Sequence, residues 1–152
     1  MRDIVTETGT FFTGLTDLPI LKTTQTSVGT DLANFDGAMV YIFADQWTDG
    51  TFTSVIQESN DNGVLDAYAA VATTDLVAWK ATSATSATPT KVGNAQPTAI
   101  SSAATAINQR VGYIGAKRWI RLVSTITGGP VTGMGYDAVI LAGRPRNMPS
   151  NV

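Results

Sequence analysis

Cysteine and histidine are both absent from this chain of 152 residues. With them go the commonest soft nucleophile, the commonest general base near neutral pH and the commonest metal ligand. No disulfide can form, which fits a reducing compartment without requiring one. Charge is also scarce: Asp, Glu, Lys and Arg make up 14% of the residues, against a usual ~25%. The surface is therefore left to Thr, Ser, Ala and Gly, a composition suited to broad contacts that desolvate few charges. No apolar run approaches the ~20 residues needed to span a bilayer, and the opening Met1 to Glu7 lacks the apolar core of a secretory signal. The expectation from these absences is a binding or structural protein that stays where it is made, with no membrane partner.

What is present suffices for one self-supporting domain, since a chain of this length buries roughly 68–70% of its unfolded surface. The net charge is −2, but the sign is unevenly distributed. Residues 1–76 carry 2 basic and 11 acidic side chains, and residues 77–152 carry 8 basic and 1 acidic. One reading places acidic and basic strands side by side in one sheet. A second places the two signs on opposite flanks, so that copies meet head to tail in a ring. Nucleic acid comes third and is not expected as a direct partner. Arg110, Lys117, Arg118, Arg121, Arg144 and Arg146 sit in a chain whose overall charge has the wrong sign for a phosphate binder.

Turn signals recur at Val28-Gly29, Asp36-Gly37, Asp49-Gly50, Asn62-Gly63, Gly93-Asn94, Gly115, Gly128-Gly129-Pro130 and Gly143. The intervals are rich in β-branched and aromatic residues, which predicts an all-β antiparallel sandwich. Predicted strands are Ile20–Gln25, Ala38–Ala44, Phe52–Gln57, Leu65–Ala70, Leu76–Lys80, Gln109–Ile114, Trp119–Ile126 and Tyr136–Leu141. Met39 to Phe43 is apolar on both faces, as a central strand would be. Trp119 to Val123 alternates: Ile120 and Leu122 share one face, while Trp119, Arg121 and Val123 form the other, which reads as a contact surface. Asp49-Gly50 predicts a hairpin between the second and third of these strands. Residues 81–90 are low in complexity and read as a loop. Residues 98–108 mix helix-forming Ala with strand-forming Thr and Ile and stay unassigned. The organisation is then an arm over 1–19, a sandwich over 20–146 and a tail over 147–152. The arm carries Phe11-Phe12, an aromatic pair that a partner subunit would bury.

Catalytic and metal motifs are weak. Gly133-Met134-Gly135-Tyr136-Asp137-Ala138 matches the glycine pattern of a dinucleotide loop, but a strand pattern follows it where a helix is required, so it reads as a hairpin connector. Glu58 to Gly63 resembles the start of a calcium loop, yet Ala69 stands where the bidentate Glu belongs, so it reads as a polar hairpin turn. Asp45, Asp49, Glu58, Asp61 and Asp66 offer carboxylates for glycoside hydrolysis near one hairpin, at spacings that diagnose nothing. Trp47, Trp79 and Trp119 are candidates for stacking on sugar rings in a lectin-like sandwich, against burial in a core or interface. Neither catalysis nor a cofactor nor an obligatory metal is expected.

The chain resembles a family of small structural proteins of tailed bacteriophages, the head decoration or minor capsid proteins. The resemblance is carried by Val28-Gly29-Thr30-Asp31-Leu32 with Phe35-Asp36-Gly37-Ala38, and by Thr48-Asp49-Gly50-Thr51-Phe52 leading to Gln57-Glu58-Ser59. It continues through Arg110 to Trp119 and closes at Gly143-Arg144-Pro145-Arg146. Relatives often carry His near that last motif and a further Asp in the Gln-Glu-Ser turn, where this chain has Leu141 to Asn147 without His, and Asn60.

The resemblance implies a β-sandwich on the virion, a homo-oligomer and most simply a trimer, that binds the major capsid protein lattice and reinforces joints between capsomers. The jelly-roll form and an extended N-terminal arm complete that expectation. Phe11, Phe12, Trp119, Arg121, Arg144 and Arg146 are the expected interface residues. The alternative is a carbohydrate-binding adhesin module on the phage head or tail.

Overall fold

The structure, a computed structural model, describes residues 18–81, 89–105 and 107–145, the side chains of Arg144 and Pro145 excepted. Eleven strands run in chain order as β1 (Ile20–Leu21), β2 (Gln25–Thr26), β3 (Thr30–Asp31), β4 (Phe35–Asp45), β5 (Thr51–Ser59), β6 (Ala69–Ala70), β7 (Leu76–Ala81), β8 (Pro89–Gly93), β9 (Gln109–Tyr113), β10 (Trp119–Thr127) and β11 (Met134–Pro145). They form two antiparallel sheets, one of six strands in the order β1-β11-β4-β9-β7-β8 and one of five, in which β2-β10-β5-β6 is continued by β3 pairing with β10. The all-β antiparallel sandwich is the observed architecture.

The alternation of side chains along strands explains how the core closes. On β4, Ala38, Val40, Ile42 and Ala44 point between the sheets and join Phe52 and Ile56 of β5, Leu76 and Ala78 of β7, Val111 and Tyr113 of β9, and Ile120 and Leu122 of β10. The intervening Met39 and Phe43 are buried on the other face of the same strand. β4 lies between β9 and β11, the central position expected of it. Each fully buried Val, Ile, Leu or Phe contributes about 1.5–3 kcal/mol relative to exposure. The alternation in β10 is also as expected, with Ile120 and Leu122 buried and Trp119, Arg121 and Val123 half-buried on the outer face.

Three expectations are corrected. Asp49-Gly50 is not a hairpin: β4 belongs to one sheet and β5 to the other, so the turn is a corner that carries the chain across the sandwich. Gly50 has φ 87° there, and the Asp49 carboxylate accepts from the amides of Val131, Thr132 and Gly133, pinning the β10 to β11 crossing beside it. Met134, Gly135 and Tyr136 are the first residues of β11 and not a connector, since β10 and β11 also lie in different sheets. Leu65–Ala70 forms no strand beyond β6; most of it belongs to a loop whose amides are claimed by Asp61.

The unassigned stretch before β9 is held by side-chain amides acting as strand surrogates. Gln96 receives the Ile56 amide at 2.8 Å and donates to the carbonyls of Ile56 and Val71. Gln109 exchanges two bonds with the backbone of Thr98 at 2.7 and 2.8 Å. Ile100 bridges Phe52 through both backbone bonds. These contacts occupy the free side of β5, an edge that would otherwise offer itself to another chain.

A buried polar cluster joins the two sheets. Tyr136 Oη lies 2.8 Å from both Ser54 Oγ and Ser124 Oγ, and the two serines are 3.0 Å apart. Three hydroxyls in a ring can each donate once and accept once, so the cluster satisfies itself without water.

Candidate contact surface

At the end of the sandwich where β5 finishes and β10 begins, four segments converge: residues 27–34, 59–68, 72–75 and 114–118. The Ser59 to Tyr68 loop is built from its own side chains. Ser59 Oγ accepts from the Gly63 amide at 2.8 Å and donates to the Asp66 carbonyl at 2.6 Å. Asp61 accepts from the amides of Val64 at 3.0 Å, Leu65 at 2.7 Å and Asp66 at 3.2 Å. Asn62 and Gly63 take φ of 64° and 82°, values that Asn and Gly tolerate best. The neighbouring Gly29 is close enough that a Cβ on it would collide with Asn62 Oδ1 and Tyr68 Oη, so the 27–34 and 59–68 loops are locked together.

Both basic side chains at this end are paired with carboxylates. Arg118 grips Asp31 with a two-pronged contact, Nε to Oδ1 at 2.8 Å and Nη2 to Oδ2 at 2.6 Å, while lying over the Trp119 ring at 5.5 Å. Lys117 Nζ donates to Asp66 Oδ2 at 2.9 Å. Tyr113 donates from its buried hydroxyl to Glu58 Oε2 at 2.7 Å and receives the Lys117 amide at 3.0 Å. These two ion pairs join the acidic and basic halves of the chain within one molecule.

The titration behaviour follows from that geometry. Arg118 lowers the Asp31 carboxyl and Lys117 lowers that of Asp66, while Lys117 and Arg118 are held above their ordinary values by the same partners. Burial works to raise Asp61, but the three amides it accepts outweigh it and the group ends lowered. Burial, then the Glu58 carboxylate, pushes Tyr113 far above the ordinary phenol value.

The large apolar side chains exposed at this end are aliphatic. Leu65 is 93% exposed, Val28 86% and Val64 77%, with Ile114 at 47%. The amides of Val64, Leu65 and Ile114 are already bonded within the chain, so these apolar groups are candidates for a preorganised contact surface, with little conformational freedom to lose on binding. Sequence reasoning missed these four: it read Leu65 and Ile114 as strand residues and Val28 as part of a turn, and gave Val64 no role. The signal was the Ser-Asn-Asp-Asn-Gly run just before Val64, since Asp claims amides two to five residues ahead in such loops.

Of the expected interface residues, Trp119 and Arg121 lie here on the outer face of β10. Arg121 is engaged within the chain: its Nε donates to Gln57 Oε1 at 2.8 Å and its guanidinium stacks 4.0 Å from the Tyr68 ring centre. Phe11, Phe12 and Arg146 lie outside the described residues, as does the Arg144 side chain. At the arm's end, the Pro19 carbonyl accepts the Tyr136 amide at 3.0 Å.

The five carboxylates do not cluster. Asp45 and Asp49 sit before β5, and Glu58, Asp61 and Asp66 at or beyond its other end, about 27 Å away along a strand of nine residues. Among the described residues, no three potential ligands are grouped to hold a metal ion. Trp79 is only 5% exposed, with the Arg110 guanidinium over its ring at 5.0 Å, and Trp47 turns its Nε1 to the Gly50 carbonyl at 3.0 Å. No helix among the described residues is long and apolar enough to cross a membrane. No family model, curated protein or solved structure matches the chain.

Proposed function

We propose that the chain is a virion structural protein, a head decoration or cement protein of a tailed bacteriophage that seats on the major capsid protein lattice and stabilises the head. The observation that carries this reading is the end of the sandwich just described, where Val28, Val64, Leu65 and Ile114 project from loops whose Lys117 and Arg118 are already paired with Asp66 and Asp31. A clamp works by binding the expanded, mature lattice better than the loose one, so its stabilisation equals its differential affinity. A rigid aliphatic surface needing no new ion pairs suits that task.

We read the sandwich further as a jelly roll. Strand pairing is nested, outermost with outermost: β1 with β11, β2 and β3 with β10, β4 with β9, and β5 with β6. That is the pattern of a long antiparallel ribbon wound into two Greek keys, an architecture common in viral capsid domains. β7 and β8 are then a hairpin inserted into the ribbon between β6 and β9. The glycan-binding alternative loses support because the Trp79 ring is buried.

The test uses purified, expanded heads lacking the protein. Added wild-type chain should bind them and raise the temperature at which they release their genome. Val64→Asp combined with Leu65→Asp should keep the fold, since both side chains are solvent-exposed, and lose that binding. Heads equally stable with and without the protein would overturn the reading.

A further inference from the structure

The two edges of the six-stranded sheet carry opposite charge. On the β11 side the exposed Asp137 accompanies Asp45 and Asp36 of neighbouring β4, with Arg144 near the far end of the strand. On the β8 side lie the exposed Lys91 and, on β7, the half-buried Lys80, with Asp75 just ahead of β7. Every neighbouring pair from β11 through β4, β9 and β7 to β8 is antiparallel, so β8 and β11 run in the same direction. A second copy placed beside the first therefore presents β11 parallel to β8.

The faces agree as well as the charges. Lys91 is paired with Trp79, and Trp79 stands with Arg110 on the outer face of the sheet, the face that also carries Asp137 and Val139. Next to Lys91 the pairing of β8 with β7 shifts, from Trp79 opposite Lys91 to Ala78 opposite Gly93, so Val92 is the extra residue of a bulge and the face match is carried by Lys91. On the β11 side, an open cleft of about 280 Å³ lies beside Asp137, lined by Leu21, Leu122, Ser124, Tyr136 and Ala138, among others. The β11 edge is accessible here, because β1 covers it only opposite Met134 and Gly135, and the Ala138 amide bonds to the carboxylate of its own neighbour Asp137 at 2.8 Å.

We infer that the β8 edge of one copy docks head to tail on the β11 edge of the next, with Lys91 against Asp137. The contact is heterologous and propagates round a ring. It rests on the proposed function only in taking the chain to act as several copies, and it names the surface that joins them.

Sedimentation of the full-length protein tests the charges. Lys91→Glu and Asp137→Lys should each weaken association about tenfold, and the double variant should restore it. A two-fold contact of β8 with β8 or of β11 with β11 would show no such rescue. The absence of native cysteine allows a second measurement that does not depend on charge. Lys91→Cys with Asp137→Cys in one chain should give covalent oligomers on oxidation. Within a copy, three strands intervene between β8 and β11, about 19 Å at strand spacing, too far for a disulfide. A monomeric wild-type chain, singles that associate like the wild type, or an associating double-cysteine variant that forms no disulfide would each overturn the inference. Heads that fail to gain stability would overturn the proposed function and leave this contact standing.

Discussion

Replacing Tyr136 by Phe removes one oxygen from the hydroxyl ring that joins the sheets, and the cost can be worked from its geometry. In the wild type each of the three hydroxyls donates once and accepts once, across 2.8, 2.8 and 3.0 Å. Without Tyr136 Oη, Ser54 and Ser124 retain a single bond, leaving one donor and one acceptor unmet. Both serines are buried, at 5% and 3% exposure, so water does not readily replace the lost partner. An unsatisfied buried polar group costs about 1–3 kcal/mol, so Tyr136→Phe should destabilise by about 2 kcal/mol. For a domain of this size that lowers the melting temperature by roughly 4–8 °C.

The sharper expectation concerns the order of further changes. Adding Ser54→Ala and Ser124→Ala to Tyr136→Phe removes the stranded groups, so the triple variant should be no less stable than the single one. Urea unfolding followed by fluorescence of Trp47, Trp79 and Trp119 gives the midpoints, measured at one protein concentration because association would shift them. If the triple variant cost the sum of the three single substitutions, the ring would not be a coupled unit and the argument would fail.

Acid should weaken the fold over a defined range. Asp31, Asp49 and Asp66 have folded values lowered by Arg118, by the Gly133, Val131 and Thr132 amides, and by Lys117 with the Asn60 amide respectively. Groups depressed in the folded state stabilise it fully above their unfolded value near 3.8 and lose that contribution as pH falls through the lower folded value. The melting temperature should therefore hold from pH 7 to about 5 and fall below about 4, and Asp49→Asn should flatten the fall. Gly115→Ala should cost about 1–3 kcal/mol by overpacking, because its Cβ would lie 2.5 Å from the Tyr113 ring. Ala116→Ser, beside it and exposed, should change the urea midpoint little.

The strands with strong alternation or continuous apolar character were legible in the sequence, and the sheets they join were not. Met39 to Phe43 declares a doubly covered strand by composition alone, and β10 declares its inner face through Ile120 and Leu122. Asp49-Gly50 carries the same local signal in a hairpin and in a corner between sheets; only the long-range register, Thr51 opposite Thr127 in place of a β4 residue, distinguishes them. The contact surface was half visible. Trp119 and Arg121 stood out by residue type. Val64 and Leu65 did not, because apolar residues default to burial unless the preceding turn is recognised as claiming their amides. Gln96 and Gln109 left no local trace, since an amide that substitutes for a strand is defined wholly by what lies opposite it.

The nested pairing also sets a timetable for synthesis. β4 ends at Asp45, yet its two sheet neighbours are β9, beginning at Gln109, and β11, ending at Pro145. At roughly 5–20 residues per second, the ribosome takes about 5–20 s to travel from Asp45 to Pro145. Until β9 is made the Met39 to Phe43 segment has neither of its ladders, and until β11 follows it still lacks one, although both of its faces are apolar. The emerging chain therefore cannot fold piecemeal from its N-terminus; the central sheet closes only when the last strand arrives. A message cut short before β11 would yield a product with an exposed, sticky centre, and a cell making many copies would need to finish each chain promptly or shelter it.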